Sequence, residues 1–264
     1  MAVSTVLEIV DIPAGNYRPY SVPGGEGYMR GYAVRPGSTD GAAGSADYAS
    51  ASIIVIQEAF GVNNNIQRIT RRIASEGFFA IAPVLYHRNG VNPVAQYGDM
   101  ETVGKYREGL TNDLISADID AVINFMERYH LSDASNVGII GFCMGGTVAY
   151  LGALNSRIKA SAVFYGGGIV NPPPEGGTPL VQRANEIQGA VAGFFGGHDQ
   201  MIPPDHVDLI RDSLTEANIN SEVHFYPDAG HGFFCDERDS YNESAANDSW
   251  EKVLAFFTEH LKGK

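Results

Sequence analysis

The sequence has few cysteines, few basic residues and no long apolar segment. Its 264 residues include only two cysteines, too few for a disulfide framework, and no His/Cys cluster has the spacing of a zinc site. No run approaches the roughly eighteen apolar residues of a membrane-spanning helix. Eighteen basic residues against thirty-one acidic ones give a net charge of −13, which disfavours nucleic acid and anionic membranes as partners. We therefore expect no metal, no nucleic acid and no membrane.

The N-terminal residues, MAVSTVLEIVDIP, lack the basic region and apolar core of a secretory signal. A cytoplasmic location is the expectation, and the low cysteine count fits it. The length suits one α/β domain over residues 1–264, although length alone would also allow two. A monomer or a small homo-oligomer is expected.

Short apolar runs alternate with helical patterns along the chain. This alternation predicts a mostly parallel central sheet with helices on both faces. The first ten residues and Met29–Val34 are predicted as antiparallel edge strands, separated by a turn-rich Pro13–Gly27, and Pro36–Asp47 as a loop. Further strands are predicted at Ser52–Gln57, Phe78–Pro83, Asn136–Ile140, Ala160–Gly166, Ala190–Gly196 and Ser221–Pro227. Helices are predicted from Asn63 to about Glu76, at Asn112–Tyr129, from the glycine-rich turn to about Leu154, at Asp205–Ala217 and at Ala245–Leu261.

A glycine-rich turn follows the strand in the middle of the chain. Its sequence, Gly141-Phe-Cys-Met-Gly-Gly146, has the G-x-C-x-G pattern of a nucleophile elbow with cysteine in the central position. A strand that turns sharply into a helix needs small neighbours two residues either side of the nucleophile. The pattern predicts a nucleophilic Cys143, with a buried structural cysteine as the alternative.

An acid and a histidine follow two later strands. Asp199 comes just after the strand at Ala190–Gly196, and His231 just after the strand at Ser221–Pro227. The order nucleophile, acid, histidine is that of an α/β-hydrolase triad. Because sites in open α/β sheets assemble at the carboxyl ends of the strands, we expect the three side chains to meet there.

From about Ser52 to Lys262 the chain resembles the dienelactone hydrolase family (carboxymethylenebutenolidase and relatives). The matching pieces are Gln57–Asn63 (QEAFGVN), Pro83…Leu85-Tyr86-His87-Arg88, Gly141–Gly146, Gly197–Pro203 and Ala229–Phe234. The QEAFGVN string, together with cysteine at the elbow, distinguishes this family from lipases and other esterases. The resemblance implies an α/β-hydrolase fold and hydrolysis of an ester or lactone without a cofactor.

The resemblance also implies catalytic roles, which agree with the chemistry of the residues. Cys143 would be the nucleophile, His231 the base and Asp199 the residue that orients His231. Glu58 would take the thiol proton when substrate arrives; the alternative is that it only accepts backbone N–H bonds at its turn. The oxyanion hole would comprise the N–H groups of Met144 and Ala59.

Substrate contacts follow from the same resemblance. Arg88 matches one of the arginines with which family members hold a dienelactone carboxylate, and the neighbouring candidates are Tyr86, Phe60 and Phe233. The second family arginine lies four residues after the histidine, where this chain has Cys235; the nearest arginine, Arg238, stands among acids and is interpreted as a surface ion pair. This departure leaves the acidic lactone open as substrate.

The predicted function is cleavage of a small ester or lactone through an acyl-enzyme on Cys143. One alternative is a carboxylesterase or thioesterase that acts on a neutral substrate. Another is a non-catalytic ligand-binding protein on a hydrolase fold, since a fold alone does not imply activity. A redox sensor is a third, and it would need Cys235 to resolve an oxidised Cys143. The sequence leaves the physiological substrate and the pathway open.

Overall fold

The computed structural model describes residues 5–13, 28–36, 51–129 and 135–262. Most of the predicted turn-rich segment at Pro13–Gly27 and of the predicted loop at Pro36–Asp47 lies outside these residues, as do the first four residues of the predicted N-terminal strand. The chain divides into two compact units, Met1–Val137 and Gly138–Lys264. The two units are described in turn, and a single domain over the whole chain stays a prediction.

The described residues of the first unit form four strands in the order β1-β2-β4-β3. They are β1 (Thr5–Pro13), β2 (Tyr28–Pro36), β3 (Ser52–Ile56) and β4 (Phe79–Pro83). β1 pairs with β2 in the predicted antiparallel sense, but β2 also pairs antiparallel with β4. The prediction that β2 is an edge strand is therefore wrong. β3 and β4 are parallel and buried along their whole length, as expected for apolar strands covered on both faces.

The described residues of the first unit form three α-helices, each of which begins after a capping side chain. Asn63 caps α1 (Asn64–Ser75) by accepting a hydrogen bond from the Ile66 N–H, and Thr111 caps α3 (Asn112–Arg128) in the same way at Leu114. Between them, α2 (Met100–Arg107) was not predicted. It buries only Val103, so its sequence lacks the apolar periodicity that indicates a packed helix.

The second unit, described as far as residue 262, forms four strands in the order β5-β6-β7-β8. They are β5 (Val137–Phe142), which begins at the last residue of the first unit, β6 (Ile158–Phe164), β7 (Ala190–Gly196) and β8 (Ser221–Tyr226). The pairs β6/β7 and β7/β8 are parallel. Its helices are α4 (Met144–Ala153), α5 (Pro204–Glu216) and α6 (Glu243–Phe257), which continues into a π-helical turn at Thr258–Lys262. The parallel pairs bring the segments after β7 and β8 to the same edge.

Short 3₁₀ helices at His87–Asn89 and Leu180–Glu186 complete the regular structure of the described residues. None of the helices in this part of the chain combines the length and the apolar character needed to cross a membrane.

Candidate active site

Cys143 occupies the sharp turn between β5 and α4. Its backbone has φ 56° and ψ −117°. Residues other than glycine adopt such a positive φ only at an energetic cost. Backbone hydrogen bonds hold the turn: the Cys143 N–H donates to the carbonyl of Phe164 at the end of β6 at 3.1 Å, and the Cys143 carbonyl accepts from the Gly146 N–H at 2.9 Å. The strand-to-helix elbow predicted from the glycine pattern is thus present.

Two glycines around Cys143 are required by close backbone contacts. A Cβ atom at Gly141 would overlap the carbonyl oxygen of Gly145, and one at Gly146 would overlap the carbonyl oxygen of Phe164. Backbone atoms cannot move aside as flexible side-chain ends can, so any side chain at these positions would open the turn. The glycine pattern of the sequence therefore has a steric cause.

His231 lies between Cys143 and Asp199. Its Nε2 is 3.1 Å from Cys143 Sγ and its Nδ1 is 2.7 Å from Asp199 Oδ2. The other carboxylate oxygen of Asp199 accepts the Met201 N–H at 2.8 Å, which fixes the orientation of the acid. Asp199 is buried, so its interaction with the imidazole is only weakly screened by water. The structure brings together the three side chains that the sequence places in a triad.

The pKa of His231 is raised from 6.5 to about 9. Burial is the largest single influence and acts in the opposite direction, since it disfavours the charged imidazolium. The hydrogen bonds to Asp199 and Cys143, together with the charges of both groups, outweigh burial. His231 therefore holds a proton at neutral pH, between a carboxylate and a sulfur atom that can carry negative charge.

The two predicted oxyanion-hole donors belong to different units. Met144 is the first residue of α4, where the helix dipole favours negative charge nearby. Ala59 follows Glu58 in the first unit, and its carbonyl accepts a hydrogen bond from the Tyr86 hydroxyl at 2.9 Å. The Tyr86 side chain thus holds the backbone segment that carries the Ala59 N–H.

The other predicted residues of the two units are largely buried. Glu58 and Tyr86 in the first unit and Phe233 in the second are fully buried, and Phe60 is nearly so. The Phe60 ring packs edge-on against Tyr97, with ring centroids 4.8 Å apart. Phe233 packs against aromatic neighbours within the second unit. The substrate contacts predicted for these rings stay predictions.

Arg88 forms a two-pronged ion pair with Asp118. Its Nη1 and Nη2 atoms donate to the two carboxylate oxygens at 2.7 and 2.8 Å, and His87 Nε2 lies 3.3 Å from the same carboxylate. The Arg88 side chain is only 11% exposed and that of Asp118 3%. Such a bidentate pair is among the strongest polar contacts in proteins. The charge expected to meet a substrate carboxylate is thus balanced within the first unit.

Asp118 was missed by sequence reasoning, although a signal existed. It lies on α3 three residues after Ile115 and one before Ile119, on the buried face of the helix. A carboxylate on an apolar helical face requires a partner of opposite charge or a hydrogen bond. That requirement could have directed the search for its partner.

Cys235 and Arg238 follow His231 closely in sequence. Cys235 is fully buried, and both cysteines are free thiols. Arg238 is half-buried, and its guanidinium packs so closely on Gly232, the residue after His231, that a Cβ there would lie 2.8 Å from Arg238 Cζ. Arg238 is therefore held against the loop that follows the histidine. Among the described residues, no group of three or more His, Cys, Asp or Glu could hold a metal ion.

Comparisons with known proteins identify the family of this chain. The model of the dienelactone hydrolase family matches residues 40–261. A protein of Synechocystis sp. named "Putative carboxymethylenebutenolidase" is 40% identical over 212 residues, 80% of this chain and 86% of the relative. One of the same name from Salmonella typhimurium is 35% identical over 245 residues, 91% of this chain and 86% of the relative. A crystal structure from Klebsiella pneumoniae titled "Putative Dienelactone Hydrolase" has a TM-score of 0.84 at 32% identity and covers 97% of this chain and 99% of that chain.

The fold is therefore that of the α/β hydrolases. Within that class, the chain belongs to the dienelactone hydrolase family and is a hydrolase. The predictions of fold, family and enzyme class are confirmed.

Proposed function

We propose that this hydrolase cleaves a small ester or lactone of the dienelactone type through a covalent acyl-enzyme on Cys143. The observation that carries the proposal is the continuous chain of contacts from Cys143 Sγ through the His231 ring to Asp199. A nucleophile bonded to a base, with the base bonded to an orienting acid, is the arrangement that nucleophilic catalysis requires. The position of Cys143 within a strained elbow supports the same assignment.

The proposed reaction has two halves. Cys143 Sγ attacks the substrate carbonyl carbon; the C–S bond forms, the C–O bond breaks, and the leaving oxygen takes the proton from His231 Nε2. Water then gives a proton to His231 and adds to the thioester, and cleavage of the C–S bond releases the acid. Asp199 stabilises the imidazolium in each half. A His231 pKa of about 9 supports this, because the imidazole then holds the proton that the leaving oxygen needs.

Three groups would assist the sulfur chemistry. The N–H groups of Met144 and Ala59 would stabilise the oxyanion, and loss of one such donor typically costs about 10²–10³ in rate. As in the family that this chain matches, Glu58 would take the thiol proton when substrate binds. The proton would return to Cys143 Sγ once the C–S bond of the acyl-enzyme breaks. Complete burial of Glu58 supports a functional role, since a buried carboxyl group is retained at a cost in free energy.

A neutral ester or thioester is the second candidate substrate. Arg88 already binds Asp118 with both terminal nitrogens, and Cys235 stands where the family often has a second arginine. A site whose cation is neutralised has less reason to prefer an anionic substrate. The acid-base chemistry of the triad would be the same for both substrate classes.

Replacement of the nucleophile tests the proposal directly. Cys143→Ala should lower kcat/KM by at least about 10³, because loss of a nucleophile costs orders of magnitude. Cys235→Ala is the matched control: it removes the other thiol, is expected to cost some stability, and should leave the rate per folded molecule unchanged. Residual activity of Cys143→Ala above about a tenth of wild type would contradict the acyl-enzyme. Ligand binding without turnover across a panel of esters, lactones and thioesters would favour the non-catalytic alternative.

The substrate class can be tested at the ion pair. We expect Asp118→Asn to increase the ratio of kcat/KM for an acidic lactone over its neutral analogue, because it releases the Arg88 charge. Arg88→Ala should leave no preference for the acid, and Arg183→Ala, at an exposed pair with Glu186, should change nothing. An unchanged ratio in both Asp118→Asn and Arg88→Ala would exclude Arg88 from substrate recognition.

We also propose that the enzyme acts without a metal or organic cofactor, in the cytoplasm, as a monomer or small homo-oligomer. Two free thiols in the chain are consistent with a reducing compartment. Dialysis against a chelator should leave kcat unchanged, whereas loss of activity that Zn²⁺ or Mg²⁺ restores would refute cofactor independence. Light scattering on the purified protein measures the oligomeric state.

A further inference from the structure

Tyr165, the first residue after β6, has a strained backbone. Its φ is 39°, and the other non-glycine residues with positive φ in the described part of the chain are Cys143 and Asn218. Asparagine tolerates this conformation, whereas tyrosine and cysteine adopt it only when surrounding contacts impose it. Tyr165 is also 1% exposed. Strain of this kind tends to occur where function requires a particular geometry.

The strain has a cause at the elbow. The chain after Tyr165 packs backbone to backbone on α4: a Cβ at Gly166 would lie 2.7 Å from the Gly146 carbonyl carbon and 2.8 Å from the Thr147 nitrogen. The Gly168 N–H donates to Thr147 Oγ1 at 2.9 Å. The chain must therefore turn abruptly at Tyr165 to reach the first turn of the helix that follows Cys143.

Backbone hydrogen bonds link the same segment to two strands that lead to triad residues. The Phe164 carbonyl accepts the N–H of Cys143 at 3.1 Å, and the Tyr165 N–H donates to the Phe194 carbonyl on β7 at 2.9 Å. β7 is the strand that ends shortly before Asp199. Backbone hydrogen bonds thus connect the segment at Tyr165 both to the elbow and to β7, the strand that precedes Asp199.

The Tyr165 ring contacts the third triad residue. Its centroid is 5.3 Å from that of the His231 imidazole, with an interplanar angle of 65°, and it makes a similar edge contact with Phe233 at 5.3 Å. Edge-to-face packing at this distance is attractive and depends on orientation. The ring therefore packs directly against the imidazole.

We propose that Tyr165 is a positioning residue: its ring holds the His231 imidazole in the orientation in which Nδ1 meets Asp199 and Nε2 meets Cys143. The elbow dictates the backbone turn at Tyr165, and the turn directs the ring at His231, so the nucleophile and the base are aligned by one segment. This inference rests on the proposed function, in which that alignment is needed for proton transfer.

The test compares loss of the ring with its retention. Tyr165→Leu should lower kcat by about 10–100-fold, because small misplacements of a catalytic group have effects of this size. KM should change little, since Tyr165 is buried. Tyr165→Phe keeps the ring and should stay within about threefold of wild type. Tyr150→Leu is the matched control, because Tyr150 is an equally buried tyrosine of the same unit.

A second readout is independent of turnover. The groups that face the imidazole and raise the pKa of His231 are Asp199 and Cys143, so misalignment should lower this pKa from about 9 towards 6.5. NMR titration of the imidazole should show the decrease in Tyr165→Leu. Tyr165→Asn should show it too and serves if the leucine variant does not fold, because asparagine tolerates the left-handed backbone. Tyr165→Phe and Tyr150→Leu should titrate as wild type.

An unchanged titration and kcat in a folded Tyr165→Leu or Tyr165→Asn would overturn the inference, as would equal changes in Tyr150→Leu. Failure of the proposed function is distinguishable, because it would appear as hydrolysis retained in Cys143→Ala. The imidazole titration would still report whether Tyr165 orients His231.

Discussion

Among single residues, His231 shows how opposing effects set a functional property. Burial alone would lower its pKa, and its two hydrogen-bonded partners raise it to about 9. Removal of the Asp199 charge should therefore lower this pKa. We expect Asp199→Asn to lower it measurably by NMR titration and to reduce kcat by about 10³–10⁴, because the imidazole loses both its orientation and its countercharge.

Asp205→Asn is the control for that substitution. Asp205 lies in the first turn of α5, near Asp199 in sequence. Its replacement by asparagine should leave both the His231 titration and kcat as in wild type. If Asp205→Asn had a large effect and Asp199→Asn behaved as wild type, the role of triad acid would belong to Asp205.

Among the secondary-structure elements, the elbow between β5 and α4 depends on glycine. A methyl group at Gly141 would overlap the Gly145 carbonyl oxygen, and overpacking against rigid atoms is costly. We expect Gly141→Ala to lower the free energy of unfolding by about 2 kcal/mol or more and to abolish activity by displacing Cys143. Denaturant titration followed by circular dichroism measures the first effect.

Gly167 offers a control in the same unit. A Cβ there would meet only Ile202 at an ordinary 3.6 Å. Gly167→Ala should consequently unfold at nearly the same denaturant concentration as wild type. If Gly141→Ala were as stable and active as Gly167→Ala, the steric account of the elbow would be wrong.

For the molecule as a whole, the raised pKa of His231 makes stability depend on pH. The folded protein binds this proton more tightly than the unfolded chain, so the stabilisation is fully present below pH 6.5 and is lost as the pH rises through about 9. The difference in unfolding free energy between wild type and His231→Gln should thus be largest near pH 6 and shrink on the alkaline side. Denaturant titration of both proteins across this pH range measures the difference.

Features encoded by neighbouring residues were predicted from the sequence. The cap of α1 at Asn63, the apolar strands and the turn at Cys143 each depend on side chains within a few positions of one another. The order of Cys143, Asp199 and His231 could be interpreted for a related reason: parallel strands end at one edge, so each residue only had to be placed after its own strand.

Features that depend on distant residues needed the tertiary structure. Arg88 and Asp118 are thirty positions apart. The apolar face of α3 indicates that Asp118 needs a partner, but nothing local identifies Arg88 as that partner. The left-handed turn at Tyr165 arises from close contact between Gly166 and Gly146, which exists only after β6 has been laid beside the elbow. The direction of the His231 pKa shift is of the same kind, because it is a balance between burial and hydrogen bonds that only the folded chain establishes.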